Sequence, residues 1–119
     1  MASILNTFKK FSKRRKYIRY NVRNDTFVNL VPGKQKVQMV DISLGGAAFI
    51  YNGRPEDLNA SEALNLPNLQ RLHFDTVSDI SAPGYAQSPD DFRRCGVKFK
   101  WIGATDKAEL SRFIEEFRN

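Results

Sequence analysis

From Tyr17 to Arg23 apolar and polar positions alternate, with Ile18, Tyr20 and Val22 on one side and Tyr17, Arg19, Asn21 and Arg23 on the other. That is the period of a strand with one wet face. Runs of strand character recur at Phe27–Val31, Val37–Ile42, Ala47–Tyr51 and Leu69–Val77. The last spans Arg94–Ile102, where Cys95, Val97, Phe99 and Trp101 alternate with Gly96, Lys98 and Lys100. Between the runs lie Pro32-Gly33-Lys34, Gly45-Gly46, Asn52-Gly53-Arg54-Pro55 and Pro83-Gly84, all of which resist continuation of regular structure. Five or six short strands of this kind predict a barrel or a sandwich. The period then changes: Asp106 with Glu109 three residues later predicts a helix cap, and Leu110, Phe113, Ile114 and Phe117 fall on one helical face. Such a helix should pack on the sheet, covering an edge or closing an open end.

The ends of the pattern are less regular. Residues 1–14 show no strand alternation, although Ile4, Leu5, Phe8 and Phe11 would share one side of a short helix flanked by lysines. A helix that short is marginal in water on its own. The expectation is a flexible basic arm over 1–13 followed by a single domain over 14–119, with a partner-docking or membrane-surface helix as the functional alternative. The acidic, proline-containing stretch Asp79–Asp91 reads as a long loop, and no internal repeat is visible.

Composition narrows the possibilities. With 119 residues, 41% hydrophobic and 12% aromatic, the chain suits one domain with a modest core. No apolar run approaches the roughly 20 residues of a membrane-spanning helix, and Met1–Phe11 lacks a long apolar stretch before a cleavage site, so a soluble, unsecreted, cytoplasmic protein is expected. The single cysteine, Cys95, has no partner for an internal disulfide, and with one histidine, His73, there is no Cys/His cluster spaced for a metal. The net charge of +6 is concentrated: residues 1–23 hold eight Lys/Arg and no acid, leaving 11 basic and 13 acidic residues beyond. A basic segment of this kind suits nucleic acid, an acidic membrane surface or a phosphate ligand, or is simply a solvated arm.

Two short signatures decide among these. Arg14-Arg15-Lys16-Tyr17-Ile18-Arg19 is followed, after twenty-odd residues, by Asp41-Ile42-Ser43-Leu44-Gly45-Gly46. Guanidinium groups bond bidentately to phosphate oxygens and to guanine O6 and N7. A carboxylate is acceptor-only, so Asp41 suits guanine N1–H and N2–H and would repel phosphate; Ser43 adjusts its hydroxyl, and the glycines permit close backbone approach. The mixture describes a pocket for a guanine-bearing anion better than a surface for bare nucleic-acid backbone. Asp79-Ile80-Ser81-Ala82-Pro83-Gly84 fits the second signature as well. The first copy is preferred because strand-like runs lead into it and out of it.

Basic signature, first strand, a strand leading into Asp-x-Ser-x-x-Gly, alternating later strands and a terminal helix: in that order, residues 13–118 resemble a PilZ domain. Gly96-Val97-Lys98-Phe99 is similar to the family's late Gly-x-x-Phe strand, and Ala47-Ala48-Phe49-Ile50 to its apolar run after the second signature. The resemblance implies a six-stranded antiparallel β-barrel, split-barrel-like, with a C-terminal α-helix, and a receptor for the bacterial second messenger cyclic di-GMP. It implies that Arg15 and Arg19 form the Arg-x-x-x-Arg pair and that Arg14 is the extra arginine associated with a stacked ligand dimer. Asp41, Ser43 and Gly46, with Gly45 beside them, would embrace a guanine. The output would be conformational, passed to a downstream protein partner in motility, pili or exopolysaccharide control, with no cofactor and no catalysis.

The plainer roles are a surface ion-pair set for Arg15 and Arg19 and a local turn for Asp41 and Ser43. Trp101 shares the face of Phe99, which predicts core packing, with a contact to a base at the strand end as the alternative. Neither His73 nor Cys95 has a catalytic constellation around it, and there is no phosphate-binding loop of the glycine-rich kind. Two other functions stay in view: a nucleic-acid-binding small barrel with Tyr17 and Tyr20 as stacking groups, and an adaptor of the same fold that binds only proteins.

Overall fold

Alternation in the sequence becomes a closed sheet. A computed structural model describes residues 17–32, 35–58, 63–82 and 92–119. The strands are β1 (Tyr20–Asn21), β2 (Phe27–Val31), β3 (Lys36–Ile42), β4 (Gly46–Asn52), β5 (Ala63–Leu66), β6 (Leu69–Ser81) and β7 (Phe92–Phe99). A short helix α1 (Pro55–Leu58) follows β4, and α2 (Ala104–Phe117) ends the chain. Pairing runs β3-β2-β5-β6-β7-β4, every pair antiparallel, and β4 returns to β3, so six strands close a barrel while β1 adds to β3 from outside. Closure removes the exposed edges that an open sheet of this size would present.

Inside the barrel, Leu30, Val37, Met39, Phe49, Tyr51, Leu64, Leu72 and Cys95 are fully buried, each the inward member of its strand's alternation. Phe49 anchors the ring packing, meeting Tyr51 and Phe74 edge to face with centroids 6.3 and 6.2 Å away. Helix α2 lays Leu110, Phe113 and Ile114 on this core. Its end is tied to the first strand region: Arg23 N–H donates to Phe117 O at 3.0 Å, Asn119 N–H to Asn21 O at 2.7 Å, and Val22 forms a bridge with Arg118.

Two bulges reset the alternation where it matters. Strict parity would send Asp41 inward with Val37 and Met39. Instead the register slips at Val40: Met39 stands opposite Phe49, but Asp41 stands opposite Ala48 and Ile42 opposite Ala47. One extra residue thus turns the carboxylate out of the core while returning Ile42 to it. A second slip, between Thr76 and Ser78 on β6, leaves Val77 as the extra residue with 69% of its surface exposed.

Several expectations need correction. The strand expected over Tyr17–Arg23 shrinks to Tyr20–Asn21, the residues that form a ladder with β3; Val22 adds one bond to Val40 O and then bridges to Arg118, and Ile18 is exposed. Asp79–Ser81 belong to β6 rather than to a loop, since the ladder with β7 continues through Ser81 and Arg93. Strand β5 and helix α1 were not expected. At the start of α2 the cap position is Gly103, with no side-chain cap bond; Asp106 lies in the first turn, where its charge complements the helix dipole. Trp101 is 90% exposed rather than packed in the core, because β7 ends at Phe99 and the ladder makes its last bond from Lys100 N–H to His73 O. Among the described residues no helix is long and apolar enough to cross a membrane. The expected arm over 1–13 lies outside the described residues, as do Arg14 and Arg15.

Candidate functional site

The β3–β4 connection is built by one hydroxyl. Ser43 Oγ accepts hydrogen bonds from the N–H groups of Gly45 at 3.0 Å and Gly46 at 3.1 Å, while Ser43 N–H donates to Gly46 O at 2.8 Å. The turn role foreseen for this serine is therefore real. Gly46 sits where no side chain fits: a Cβ there would lie 2.3 Å from the carbonyl oxygen of Val97 on the neighbouring strand. At Gly45 a Cβ would meet the ring of Tyr17 at 2.7 Å, so the chain entering the domain rests directly on this turn.

Around the turn opens a cleft of about 590 Å³ on the outer face of the barrel. Its lining brings Arg19 from the first signature together with Ser43, Gly45 and Gly46 from the second. Ala48 on β4, Gly96 on β7 and Ser78 on β6 lie side by side across three neighbouring strands, and their small side chains account for the depression. Val77 and Ile80 form an apolar wall, with 69% and 59% of their surfaces exposed.

The charged residues that line the cleft are of one sign. Arg19, Arg94 and Lys98 line it, and no acidic residue does among the described residues. Asp41 stands just behind: it does not line the cleft, but its Oδ2 accepts from Arg94 Nη2 at 3.3 Å. Its other oxygen, Oδ1, is buried without a hydrogen-bond partner in the structure. A buried carboxylate oxygen with unused lone pairs is an acceptor suited to incoming N–H donors.

The second copy of the Asp-x-Ser-x-x-Gly pattern is used differently. Asp79 Oδ2 accepts from the Tyr51 hydroxyl at 2.5 Å, Oδ1 accepts from Arg93 Nε at 2.6 Å, and Asp79 O accepts from Arg93 Nη2 at 3.0 Å. Burial and this hydrogen bond together push the Tyr51 phenol well above its ordinary value. Asp79 is thereby committed to joining β4, β6 and β7, and it does not line the cleft. Trp101 does not line it either.

Arg94 and Lys98 were not singled out from the sequence as site residues. The signal was present: in Arg94–Phe99 the residues opposite the apolar set Cys95, Val97 and Phe99 are Arg94, Gly96 and Lys98, an outward face with two cations and no bulk between them.

Comparison with known proteins places this architecture. The family model for the PilZ domain matches residues 13–116. Among solved structures, the PilZ domain of YcgR from Escherichia coli, with c-di-GMP, superposes with a TM-score of 0.58 at 19% identity, covering 87% of this chain and 91% of that one. MrkH, described as a c-di-GMP-dependent transcription regulatory factor, gives 0.54 at 17% identity; 87% of this chain is covered and 50% of MrkH. The K. pneumonia MrkH–c-di-GMP complex gives 0.55 at 17% identity, covering 87% and 52%. No curated protein matches the sequence significantly.

Proposed function

Because the chain belongs to the PilZ domain family, we propose that it is a receptor for cyclic di-GMP, binding one molecule or a stacked pair and signalling to a downstream protein. The observation that carries this reading is the meeting in one cleft of Arg19 with Ser43, Gly45 and Gly46, whose signatures are far apart in sequence. Arg14, Arg15 and Arg19 take phosphate oxygens and guanine Hoogsteen edges, and Asp41 takes guanine N1–H and N2–H as Arg94 turns aside from its Oδ2. Val77 and Ile80 offer an apolar surface to a base.

The route outward begins at Arg19. It lies between Tyr17, which rests on Gly45, and the Tyr20–Arg23 segment, which is bonded to the end of α2. Ligand anions draw the basic segment against the barrel face carrying Asp41 and Ser43, and the reset of this segment is passed to α2 and to the surface a partner reads. Motility, pili and exopolysaccharide synthesis are the outputs this reading admits. Titration of R19A with cyclic di-GMP tests the assignment: affinity should fall by about 1 to 3 kcal/mol with the fold intact, as for loss of one bidentate contact. Unchanged affinity would reject the placement.

A further inference from the structure

We propose that the outer face of β7 carries a second anchoring line for the same ligand, in which Arg94 and Lys98, on either side of the bare Gly96, take up phosphate charge in addition to Arg19. This rests on the cyclic di-GMP reading and extends it to residues outside both signatures. Cys95, Val97 and Phe99 point into the core, so Arg94, Gly96 and Lys98 share the outward face. Four residues along a strand separate the two cations by about 13 Å, a span on the scale of a cyclic dinucleotide.

The neighbouring strands put only small side chains between them, the Ser78 hydroxyl lying 2.7 Å from where a Cβ on Gly96 would be. Gly96 pairs with Ala48 on one side and with Ser78 on the other, so no large side chain rises between Arg94 and Lys98. Lys98 itself stands opposite Gly46, the last residue of the second signature. Lys98 makes no ion pair with another described residue: Asp75, opposite it on β6, pairs instead with Lys100 at 3.8 Å.

Arg94 is bonded, but only partly used. Its contact with Asp41 is a single one, 3.3 Å long, from a side chain 41% exposed, and a guanidinium has five N–H donors. When a guanine N–H pair engages Asp41, Arg94 turns its fork toward the ligand's phosphate without leaving the cleft it already lines. A dianionic ligand is thereby held by cations from two separate stretches of the chain, which favours a cyclic dinucleotide over a mononucleotide able to reach only one of them.

The test is titration of the full chain with cyclic di-GMP, comparing wild type, K98Q, R94Q and K36Q at low and high salt. Lys36 lies on β3, over the Phe27 ring and away from the cleft, so K36Q removes equal charge elsewhere. K98Q and R94Q should each bind about 3- to 10-fold more weakly at low salt, with the difference narrowing at high salt, and K36Q should match wild type. If R94Q lowers Tm, K98Q decides. Wild-type affinity in K98Q and R94Q alongside weakened R19A would overturn the second line and leave the receptor reading standing. Equal losses in K98Q and K36Q would overturn it in favour of bulk charge. No binding by wild type would overturn both.

Discussion

Replacing Asp79 with alanine separates the two copies of the Asp-x-Ser-x-x-Gly pattern by what each does. The Tyr51 hydroxyl, on a side chain only 1% exposed, would lose the carboxylate that accepts its proton in a charge-assisted bond of 2.5 Å. Such a bond contributes about 1.5 to 3 kcal/mol. Arg93 would lose its carboxylate at 2.6 Å; both side chains of that pair are partly wet, 22% and 16% exposed, which limits its contribution to about 1 kcal/mol. Together D79A should cost about 3 kcal/mol, and Y51F, which leaves the Asp79–Arg93 pair in place, about 1 to 2 kcal/mol. At about 4 °C per kcal/mol for a domain of this size, D79A should melt about 12 °C below wild type. Differential scanning calorimetry measures that shift, and titration below the lowered Tm should find cyclic di-GMP affinity retained in D79A and lost in D41A. A D79A protein as stable as wild type, or one that abolishes binding while D41A binds normally, would refute the assignment of the two copies.

Gly46→Ala should cost about 1 to 3 kcal/mol, because its methyl meets the Val97 carbonyl and β4 must part from β7. Gly45→Ala meets only the Tyr17 ring and should cost less, so equal melting temperatures for the two variants would contradict the packing described. Burial pushes the Cys95 thiol from its ordinary 9.0 up to about 11. The unfolded chain therefore loses this proton first as pH rises, and stability present below pH about 9 declines toward pH about 11 by roughly 2 to 3 kcal/mol. C95A should flatten that decline in urea unfolding measured across this range, and an unchanged slope would show that another group governs it. R19A, with its side chain at the surface, should leave Tm within about 1 °C of wild type while weakening ligand binding.

The barrel strands and the terminal helix were legible because a period of two and a period of 3.6 leave different apolar spacing. Leu110, Phe113 and Ile114 are buried as the helical spacing required. What escaped was local. Ala63-Leu64-Asn65-Leu66 contains no β-branched or aromatic residue, so nothing in it announced β5. Asp79 and Ser81 look like loop residues by polarity, yet they continue β6, with Asp79 held by Arg93 from the adjacent β7 and by Tyr51 from β4 beyond it. Trp101 continued the alternation of β7 past the point where its hydrogen bonds stop. At the cleft, the signature residues declared their chemistry by type, but the bulge at Val40 that turns Asp41 outward depends on pairing with β4 and is invisible in β3 alone. Arg94 was passed over because an arginine within a strand has an ordinary role on a wet face. Its placement beside Asp41 appears only when β3, β4 and β7 are joined.

Calorimetric titration of the purified chain with cyclic di-GMP, with GTP and a short oligonucleotide as controls, tests the central claim most directly. The account predicts saturable binding selective for cyclic di-GMP, at one or two ligands per chain. An absence of binding by calorimetry and by a second, non-calorimetric probe, or equal binding of GTP, would contradict it.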